Sequence, residues 1–345
     1  METRKIQVSG GSSYIVSLPK EWIKSNNIQK NDPVRLDIQQ DGTLLINPDT
    51  ESRKVEMVKV FEVSPTTDRT QLLRYLIGAY IAGCTTIRIT TPGRLPPFVA
   101  ELVREFTGMA IGQEVIEETN TLIVLKDLLN PAEMPFESTL RRMLVIVRGM
   151  HEDALTALEE GDSLRAENVI RRDNDVDRLH WLVARQFDLI IGNVNLSREM
   201  GVTVSEAADY FLISKIIERI GDHATRIAKN VIRLTEDGCT PEITEIIGQT
   251  GYSALRIFNR SIGSFFERDI EKANSTIEMV GILESDCREI GRNAHNFSPD
   301  MAISVVHIAD SLRRVGDYSA DICEAVINQL VMSENVHDHS GSHTV

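Results

Sequence analysis

The 345-residue chain has few cysteines, and none of them stands at the spacing of a metal or redox motif. Four cysteines are scattered along it without a CxxC pair: Cys84, Cys239, Cys287 and Cys323. Zinc sites and thiol redox centres need closely spaced cysteines, and disulfide frameworks belong mostly to small secreted domains. The pattern therefore predicts buried free thiols.

Long hydrophobic runs are also missing. The longest apolar stretches, residues 76–84 and 204–217, are short or interrupted by charge, and no basic-then-apolar segment opens the chain. A membrane-spanning helix needs about 20 predominantly apolar residues. We therefore expect a soluble, cytoplasmic protein that is not inserted in a membrane.

Positive charge is scarce, since 37 Lys and Arg face 51 Asp and Glu, for a formal charge of −14. This excludes a protein that coats nucleic acid with its whole surface, because phosphate binding needs clustered cations. A DNA contact must be local, and only the first segment is basic, through Arg4, Lys5, Lys20, Lys24, Lys30 and Arg35. Two interpretations stay open there: phosphate contacts to DNA, or an ordinary charged surface.

Length and composition predict a multidomain globular protein of α+β class. In the first domain, residues 1–50, a β-branched run broken by Gly10 and Gly11 precedes a short helix that opens at Pro19, and a hairpin follows with its turn at Asp41 and Gly42. A unit this small buries little surface alone, so we expect it to pair with a second copy in a homodimer.

Residues 51–131 predict a small α/β domain. Strands are expected at 55–63, 87–89, 114–116 and 121–125, and a helix at 67–82, with an apolar periodic stretch at 98–106. No phosphate loop, nucleophile elbow or metal motif occurs among them. The domain is therefore expected to connect or to dimerise.

From residue 136 onward the apolar residues recur at helical spacing, with six helices between the breaks. The run from Glu218 to His223 (ERIGDH) recurs as Arg313 to Tyr318 (RRVGDY), each late in its own block of three helices. This predicts two similar three-helix bundles, residues 136–236 and 240–333. A flexible polar segment, 334–345, contains His337, His339 and His343, for which metal binding is the less favoured alternative.

Four acids form the main candidate site. Asp173 and Asp177 are four residues apart on one predicted helix, and so are Glu218 and Asp222 on the next, which puts each pair on one helix face. If the faces meet, the carboxylates need protons, cationic partners or a metal. Oxygen-only donors favour Mg, Mn or Fe over Zn. The alternative is a salt-bridged surface, with neutralising partners among Arg171, Arg172, Arg178 and Arg219.

Glycines and histidines near this face predict packing. Gly221 and Gly316 lie in helix interiors, where glycine costs about 1 kcal/mol, so we expect a neighbouring element to pass closely there. His223 points about a quarter turn away from Asp222, which favours a supporting or surface role over metal ligation. His151 and His180 are expected to pack in helices.

The first fifty residues resemble the AbrB (SpoVT-type) swapped-hairpin domain, through the run from Arg4 to Trp22 and the segments NDPV at 31–34 and DGTLL at 41–45. Such domains are typically intertwined homodimers that bind DNA through basic residues near the N-terminal strand and loop. The resemblance implies DNA contacts by Arg4, Lys5, Lys20, Lys24 and Arg35.

Residues 136–333 resemble PhoU, whose signature ERIGDHA stands at Glu218 to Ala224 and is followed by Ile227 and Ala228. The family's E/D-x-x-x-D motifs, associated with multinuclear metal clusters in some members, match Asp173 with Asp177 and Glu218 with Asp222. The resemblance therefore implies a metal site, with Fe, Mn or Mg as its cation.

The second repeat departs from the family pattern. Arg313 replaces the expected acid before Asp317, and Glu284 pairs at best with Arg288. Glu284 and Asp317 are therefore weaker metal candidates, and we expect ion pairs there.

The chain is similar to archaeal regulators of phosphate uptake, because it combines an AbrB-like N-terminal domain, an α/β middle domain and a PhoU-like C-terminal region. The resemblance implies a phosphate-responsive, homodimeric transcriptional regulator. The alternative is an adaptor that restrains a phosphate ABC transporter ATPase or a signalling partner without binding DNA. A metal enzyme is least favoured, because no nucleophile, base or cofactor loop accompanies the acids.

Overall fold

The computed structural model describes residues 3–11, 13–38, 42–48, 56–237 and 240–337. The chain divides into two compact units, Met1–Glu56 and Met57–Val345. The described residues form eight strands and ten α-helices.

The first unit has the predicted order of β structure, helix and hairpin, and its first β structure is a pair of strands. Strand β1 (Gln7–Ser9) pairs antiparallel with β2 (Ser13–Ile15), α1 (Lys20–Ser25) follows, and β3 (Val34–Ile38) pairs antiparallel with β4 (Leu44–Pro48). Gly10 and Gly11 take φ of +63° and +83°, a conformation that glycine adopts without strain. Of the predicted hairpin turn, Gly42 has positive φ and Asp41 lies outside the described residues.

This first unit has no buried residue among those whose burial is described in the range 3–48. Its strands expose large apolar side chains, including Ile6 at 70%, Tyr14 at 77% and Ile38 at 83%. Folding of a small domain depends on apolar burial of about 25 cal/mol per Å². The unit alone lacks that burial, so its stability requires a surface to cover these side chains.

The second unit starts with an α/β layer that confirms the strands and the helix predicted within residues 51–131. Its elements are β5 (Val58–Glu62), α2 (Arg69–Ile81), β6 (Thr86–Thr90), α3 (Pro97–Met109), β7 (Gln113–Glu118) and β8 (Leu122–Asp127). The sheet order is β5-β6-β8-β7, with β5 parallel to β6 and the other pairs antiparallel. Leu76, Tyr80, Ile87, Phe106 and Leu125 form the core between helices and sheet.

The six predicted long helices are confirmed, and a short seventh, α6, was not predicted. They are α4 (Phe136–Glu160), α5 (Ser163–Gly192), α6 (Val194–Glu199), α7 (Val204–Asp237), α8 (Pro241–Glu267), α9 (Ile270–Asn293) and α10 (Pro299–His337). Helix α10 extends helical structure into the segment 334–345 that the sequence predicts as flexible. Residues 338–345, with His339 and His343, lie outside the described residues.

Local signals fix the helix ends. Gly161 ends α4 in the left-handed conformation, at φ 66°, and the Asp162 carboxylate then accepts a hydrogen bond from the Arg165 N–H at 3.0 Å to start α5. A capping box starts α7: the Thr203 hydroxyl accepts from the Glu206 N–H at 3.1 Å, and the Glu206 carboxylate accepts from the Thr203 N–H at 2.8 Å. None of the helices in the described residues is long and apolar enough to cross a bilayer.

One hydrophobic core runs through both bundles, so the predicted bundles are packed on each other. The α/β layer is joined to the first bundle by Arg185 of α5, whose side chain is only 2% exposed. Arg185 donates to the carboxylate of Asp127 and to the carbonyl groups of Tyr80 and Cys84. A buried charge needs such partners, because removing one leaves it uncompensated. The α/β layer is therefore one compact unit with the helices.

Candidate functional site

The two acidic pairs meet where α5 packs on α7. Asp173 and Asp177 come from α5, and Glu218 and Asp222 come from α7, so the predicted helix positions are confirmed. The negative charges of Asp173, Glu218 and Asp222 all act on Asp177. Asp173, Asp177 and Glu218 are half-buried, whereas Asp222 lies at the exposed edge. The four form one acidic cluster that is open to solvent on one side.

Burial and mutual repulsion favour the protonated carboxyls. Burial, together with the negative charges of Asp173, Glu218 and Asp222, raises the pKa of Asp177 to about 7. Burial also raises the pKa of Asp222 to about 6, with Glu218 and Asp173 adding to the effect. The pKa of Asp173 is raised by burial as well. The cluster therefore takes up protons near neutral pH, where ordinary aspartates are ionised.

The cations near the acids are lysines, which the sequence reasoning did not single out. The Lys215 ammonium donates to both oxygens of Glu218, at 2.9 and 2.8 Å, and it also favours ionised Asp177 and Asp222. Lys229 acts in the same direction on Asp173 and Asp222. The sequence spacing could have indicated Lys215, because Lys215 precedes Glu218 by three residues and so lies on the same helix face.

The Thr225 hydroxyl also lowers the pKa of Asp173, although it reaches no hydrogen-bond partner within the described residues. Its spacing from Asp222, three residues, places it on the same side of α7. The cluster thus has a buried hydroxyl beside it that a small movement of the acid would engage.

The four arginines proposed as neutralising partners are engaged elsewhere. Arg172 donates to Asp153 at 2.5 Å and to the Gly149 carbonyl at 3.1 Å, and Arg178 lies 3.8 Å from Asp175. That prediction was wrong for a geometric reason, because these side chains leave the helices toward other neighbours. Of the other two arginines, Arg171 donates to Asn168, and Arg219 lies over the Tyr318 ring.

The acidic cluster fits a hard cation in donor chemistry but not in geometry. Carboxylate oxygens suit Mg, Mn or Fe. Nevertheless, no three His, Cys, Asp or Glu side chains among the described residues are arranged to hold a metal ion. Asp173, Asp177, Glu218 and Asp222 therefore share an electrostatic environment without converging on one coordination point.

The second bundle has the predicted ion pairs. Arg313 donates to Asp317 at 2.7 Å and to Asp310 at 2.9 Å, and Arg288 lies 3.7 Å from Glu284. The hydrogen bond and charge of Arg313 hold the pKa of Asp310 below its usual value despite burial. Glu284 and Asp317 are thus salt-bridged, as the sequence predicts.

The close packing predicted at the two helix glycines is confirmed, and the neighbours are side chains. A Cβ on Gly221 would lie 3.3 Å from a Val147 methyl group, and one on Gly316 would lie 2.7 Å from a Leu283 methyl group. Both glycines let the third helix of a bundle approach its neighbours.

The histidines and cysteines follow the packing expectation where they are described. The His151 ring bonds to the Ile220 carbonyl at 3.0 Å, and the His180 ring bonds to the Ser214 hydroxyl at 3.0 Å. His223 packs against Tyr318 of α10. Three cysteines are confirmed as buried free thiols, Cys84, Cys287 and Cys323, whereas Cys239 lies outside the described residues.

The predicted DNA-contact residues all lie in the first unit and are all exposed. They are Arg4, Lys5, Lys20, Lys24 and Arg35. Lys20 and Lys24 lie one turn apart on α1, and Arg35 lies on β3. Such side chains can contact a phosphate backbone.

These features define a class: a tandem repeat of three-helix bundles with an acidic cluster in the first repeat, attached to an α/β layer and a small β unit. Residues 140–231 and 247–326 match the family model of the PhoU domain. The helical region therefore belongs to the PhoU family. Residues 7–54 match the model described as Antidote-toxin recognition MazE, bacterial antitoxin, which supports a MazE/AbrB-like first domain.

Curated proteins similar to this chain are named as PhoU homologs. The phosphate-specific transport system accessory protein PhoU homolog 1 of Thermotoga maritima is 25% identical over 198 residues, which cover 55% of this chain and 84% of that protein. A PhoU homolog from Deinococcus radiodurans is 32% identical over 92 residues, covering 27% of this chain and 40% of that protein.

A solved PhoU structure is similar to this chain in fold. The crystal structure of PhoU from Pseudomonas aeruginosa aligns with a TM-score of 0.50 at 20% identity, and the alignment covers 56% of this chain and 93% of that one. It supports the bundle architecture alone.

Proposed function

We propose that this protein is a phosphate-responsive transcriptional regulator of phosphate uptake, which binds DNA through its first unit and senses phosphate status through its PhoU-like helices. The observation that carries the proposal is the fusion itself. One chain joins a MazE/AbrB-like domain to two PhoU domains, and relatives of the helical part are named as accessory proteins of phosphate-specific transport. A cytoplasmic location follows from this function.

DNA binding is proposed for the exposed basic residues of the first unit, because the rest of the chain is strongly acidic. Since the five contacts neutralise backbone phosphates, their affinity should fall steeply with salt. A homodimer is part of the proposal, because the first unit by itself buries none of its described side chains. A second copy would cover Ile6, Tyr14 and Ile38.

The test measures fluorescence anisotropy of promoter DNA from phosphate-transport genes, titrated with the full chain at several salt concentrations. The variant Lys5→Ala/Lys20→Ala should bind at least about tenfold more weakly and with a smaller salt slope. Lys30→Ala is the matched control, because Lys30 is an exposed lysine of the same unit outside the proposed contact set. Equal losses in both variants, or binding by none of the proteins, would overturn DNA recognition by this unit.

The second candidate function is an adaptor that restrains a phosphate ABC transporter ATPase or a signalling protein without binding DNA. The names of the relatives favour it, since they describe accessory proteins of a transport system. Mapping genomic binding at high and low phosphate separates the two functions. A regulator should occupy phosphate-dependent sites, whereas an adaptor should occupy none and should co-purify with the ATPase.

Neither function requires a bound metal or a catalytic residue. Fe, Mn or Mg would need movement of Asp173, Asp177, Glu218 and Asp222 toward a common point before they could be bound. Metal titration with stability as the readout tests for such movement.

A further inference from the structure

The junction between the two bundles is built from the repeated motif itself. His223 of α7 contacts Tyr318 of α10, with ring centroids 5.7 Å apart, and these two residues occupy the same position in the two repeats. Asp209, which precedes His223 on α7, accepts a hydrogen bond at 2.8 Å from Gln329, which follows Tyr318 on α10. The two helices therefore run antiparallel past each other, with the His223 and Tyr318 pair at their crossing.

Because the two helices are antiparallel, residues that occupy the same position in the two repeats lie on opposite sides of the crossing. On one side, Arg219 of α7 comes beside Asp321 of α10, where it opposes the rise in the pKa of Asp321 caused by burial, Glu324 and Asp317. Arg219 also lies over the Tyr318 ring, 5.7 Å from its centroid. This side joins opposite charges.

On the other side the equivalent residues are both cations. Arg314 of α10 is the counterpart of Arg219, and Arg226 of α7 is the counterpart of Asp321. Arg226 is one turn beyond His223 and Arg314 is one turn before Tyr318, so the antiparallel crossing brings them to the same end of the junction. Both cations act on His223, so like charges lie here where the other side has opposite charges.

Neither arginine is fully neutralised by the protein. Arg226 makes no side-chain hydrogen bond or ion pair within the described residues. Arg314 reaches only Asp317, at 3.7 Å, and Asp317 is already bonded by Arg313 at 2.7 Å. Asp310 is the remaining nearby acid, and it is bonded to Arg313 at 2.9 Å.

His223 completes the arrangement with an unpartnered ring nitrogen. Its Nδ1 is buried and has no hydrogen-bond partner in the described part of the chain. Burial, together with the charges of Arg226, Arg314 and Arg313, lowers the pKa of His223 to about 4 against the opposing charge of Asp310. An imidazole ring nitrogen can donate an N–H to an oxygen atom.

We infer that Arg226, Arg314 and His223 form a binding site for a free oxyanion, inorganic phosphate, at the junction of the two bundles. Guanidinium groups are well suited to phosphate because they donate paired, charge-assisted hydrogen bonds. A bound anion would accept hydrogen bonds from the two arginines and give His223 Nδ1 its missing partner. The oxyanion chemistry rests on these residues, whereas the choice of phosphate rests on the proposed function.

The site also gives phosphate a physical means of signalling. Arg226 belongs to the first bundle and Arg314 to the second, so an anion between them would hold α7 and α10 together. A ligand shifts a conformational equilibrium only by its differential affinity for the two states. Phosphate bridging the bundles would favour the arrangement described here over one in which they separate.

The experiment titrates inorganic phosphate into the full chain by calorimetry and follows the imidazole nitrogens of His223 by NMR. The wild type should bind saturably with a shift at His223 Nδ1, and Arg226→Gln should weaken binding by about tenfold or more. Arg226→Lys should retain part of the affinity. Arg219→Gln is the matched control, because it removes an arginine from the same helix on the side where Asp321 carries the opposite charge, and it should change affinity by less than about twofold.

Absence of saturable phosphate binding by the wild type would overturn the inference. So would equal losses in Arg226→Gln and Arg219→Gln, because these would indicate diffuse attraction. DNA binding is measured separately in phosphate-free buffer. A chain that binds DNA but not phosphate keeps the proposed regulator and loses this site, whereas one that binds phosphate but not DNA keeps the site and loses the regulator.

Discussion

The two helical bundles repeat one motif and one fold, yet their charges are arranged in opposite ways. In the first bundle Glu218 precedes Asp222 by one turn and faces two aspartates of α5, and the pKa of three of these acids is raised. In the second bundle Arg313 takes the place of Glu218, and it bonds to Asp310 and Asp317. The exchange of one acid for an arginine thus separates a partly neutralised acidic cluster from an ion-pair network.

The comparison teaches that the fold does not depend on the acidic cluster. The second bundle forms three long helices and a buried core with ion pairs at the equivalent position. Carboxylates held together without full neutralisation lower stability above their pKa. The first bundle therefore retains an arrangement that packing does not require, which is what we expect of a functional surface.

The largest expected effect comes from giving the second bundle the acid of the first. Arg313→Glu would place a fourth carboxylate among Glu284, Asp310 and Asp317 and remove both hydrogen bonds of Arg313. We expect the free energy of unfolding at pH 8 to fall by about 2 kcal/mol. Urea denaturation at pH 8 and pH 5 measures it, and part of the loss should be recovered at pH 5 as the acids protonate.

The reciprocal substitution gives the first bundle the arginine of the second and tests the same difference in charge. Glu218→Arg should leave stability at pH 8 unchanged or increase it, because the new cation faces Asp173, Asp177 and Asp222. A loss in Glu218→Arg as large as that in Arg313→Glu would mean that the arrangement of charge is equivalent in the two bundles.

The next effect concerns the paired glycines. An alanine at Gly316 would bring its Cβ to 2.7 Å from Leu283 Cδ2, whereas one at Gly221 would meet Val147 Cγ2 at 3.3 Å. Alanine gains up to about 1 kcal/mol of helix propensity at both positions, and the closer contact costs more. Gly316→Ala should therefore be about 1 kcal/mol less stable than Gly221→Ala. Thermal unfolding compares them directly, and the reverse order would show that Leu283 moves aside readily.

A smaller effect is the pH dependence of the first bundle. The pKa of Asp177 is raised from its ordinary 3.8 to about 7, so the folded protein holds this proton more tightly than the unfolded chain does. The resulting stability is complete below pH 4 and is lost as pH rises toward 7. Asp177→Asn should remove this loss and be about 1 kcal/mol more stable than the wild type at pH 8, after allowance for solvent screening.

The matched control for Asp177→Asn is Asp317→Asn in the second bundle. Asp317 accepts from Arg313 at 2.7 Å, so its loss should destabilise the protein at pH 8. Chemical denaturation between pH 4 and 8 gives both curves. The same sign of change in the two variants would contradict the opposition between the bundles.

The sequence predicts the helices, the acidic faces and the second-bundle ion pairs, because these follow from spacing along one element. Asp173 with Asp177 and Arg313 with Asp317 are each four residues apart, which fixes their shared face without knowledge of the fold. The hydrophobic period likewise fixes the six long helices, whose breaks coincide with glycine, proline and capping residues.

Features that depend on contacts between elements were not accessible in this way. Lys229 acts on Asp173 across two helices, and Arg172 reaches Asp153 on α4 instead of the acidic cluster. The burial of Arg185 against Asp127, 58 residues away, likewise has no local signal. Side-chain direction at a helix crossing depends on the packing angle and neighbouring volumes, which a single sequence does not specify.

The smallest expected effect is that of added metal ions on stability, which distinguishes weak screening of the carboxylate charges from a metal site in the first bundle. With Asp222 at the exposed edge and no three described acids arranged around one point, Mn²⁺ or Mg²⁺ should screen the cluster only weakly. At millimolar concentration and pH 8, either ion should stabilise the wild type by a few tenths of a kcal/mol, about what a site half-saturated in the millimolar range gives. Asp222→Asn should lose this gain, and Asp317→Asn should not. A purified protein that retains stoichiometric Fe, Mn or Mg would instead show that the carboxylates close around the ion, and the first bundle would then differ from the second by a metal centre as well as by charge.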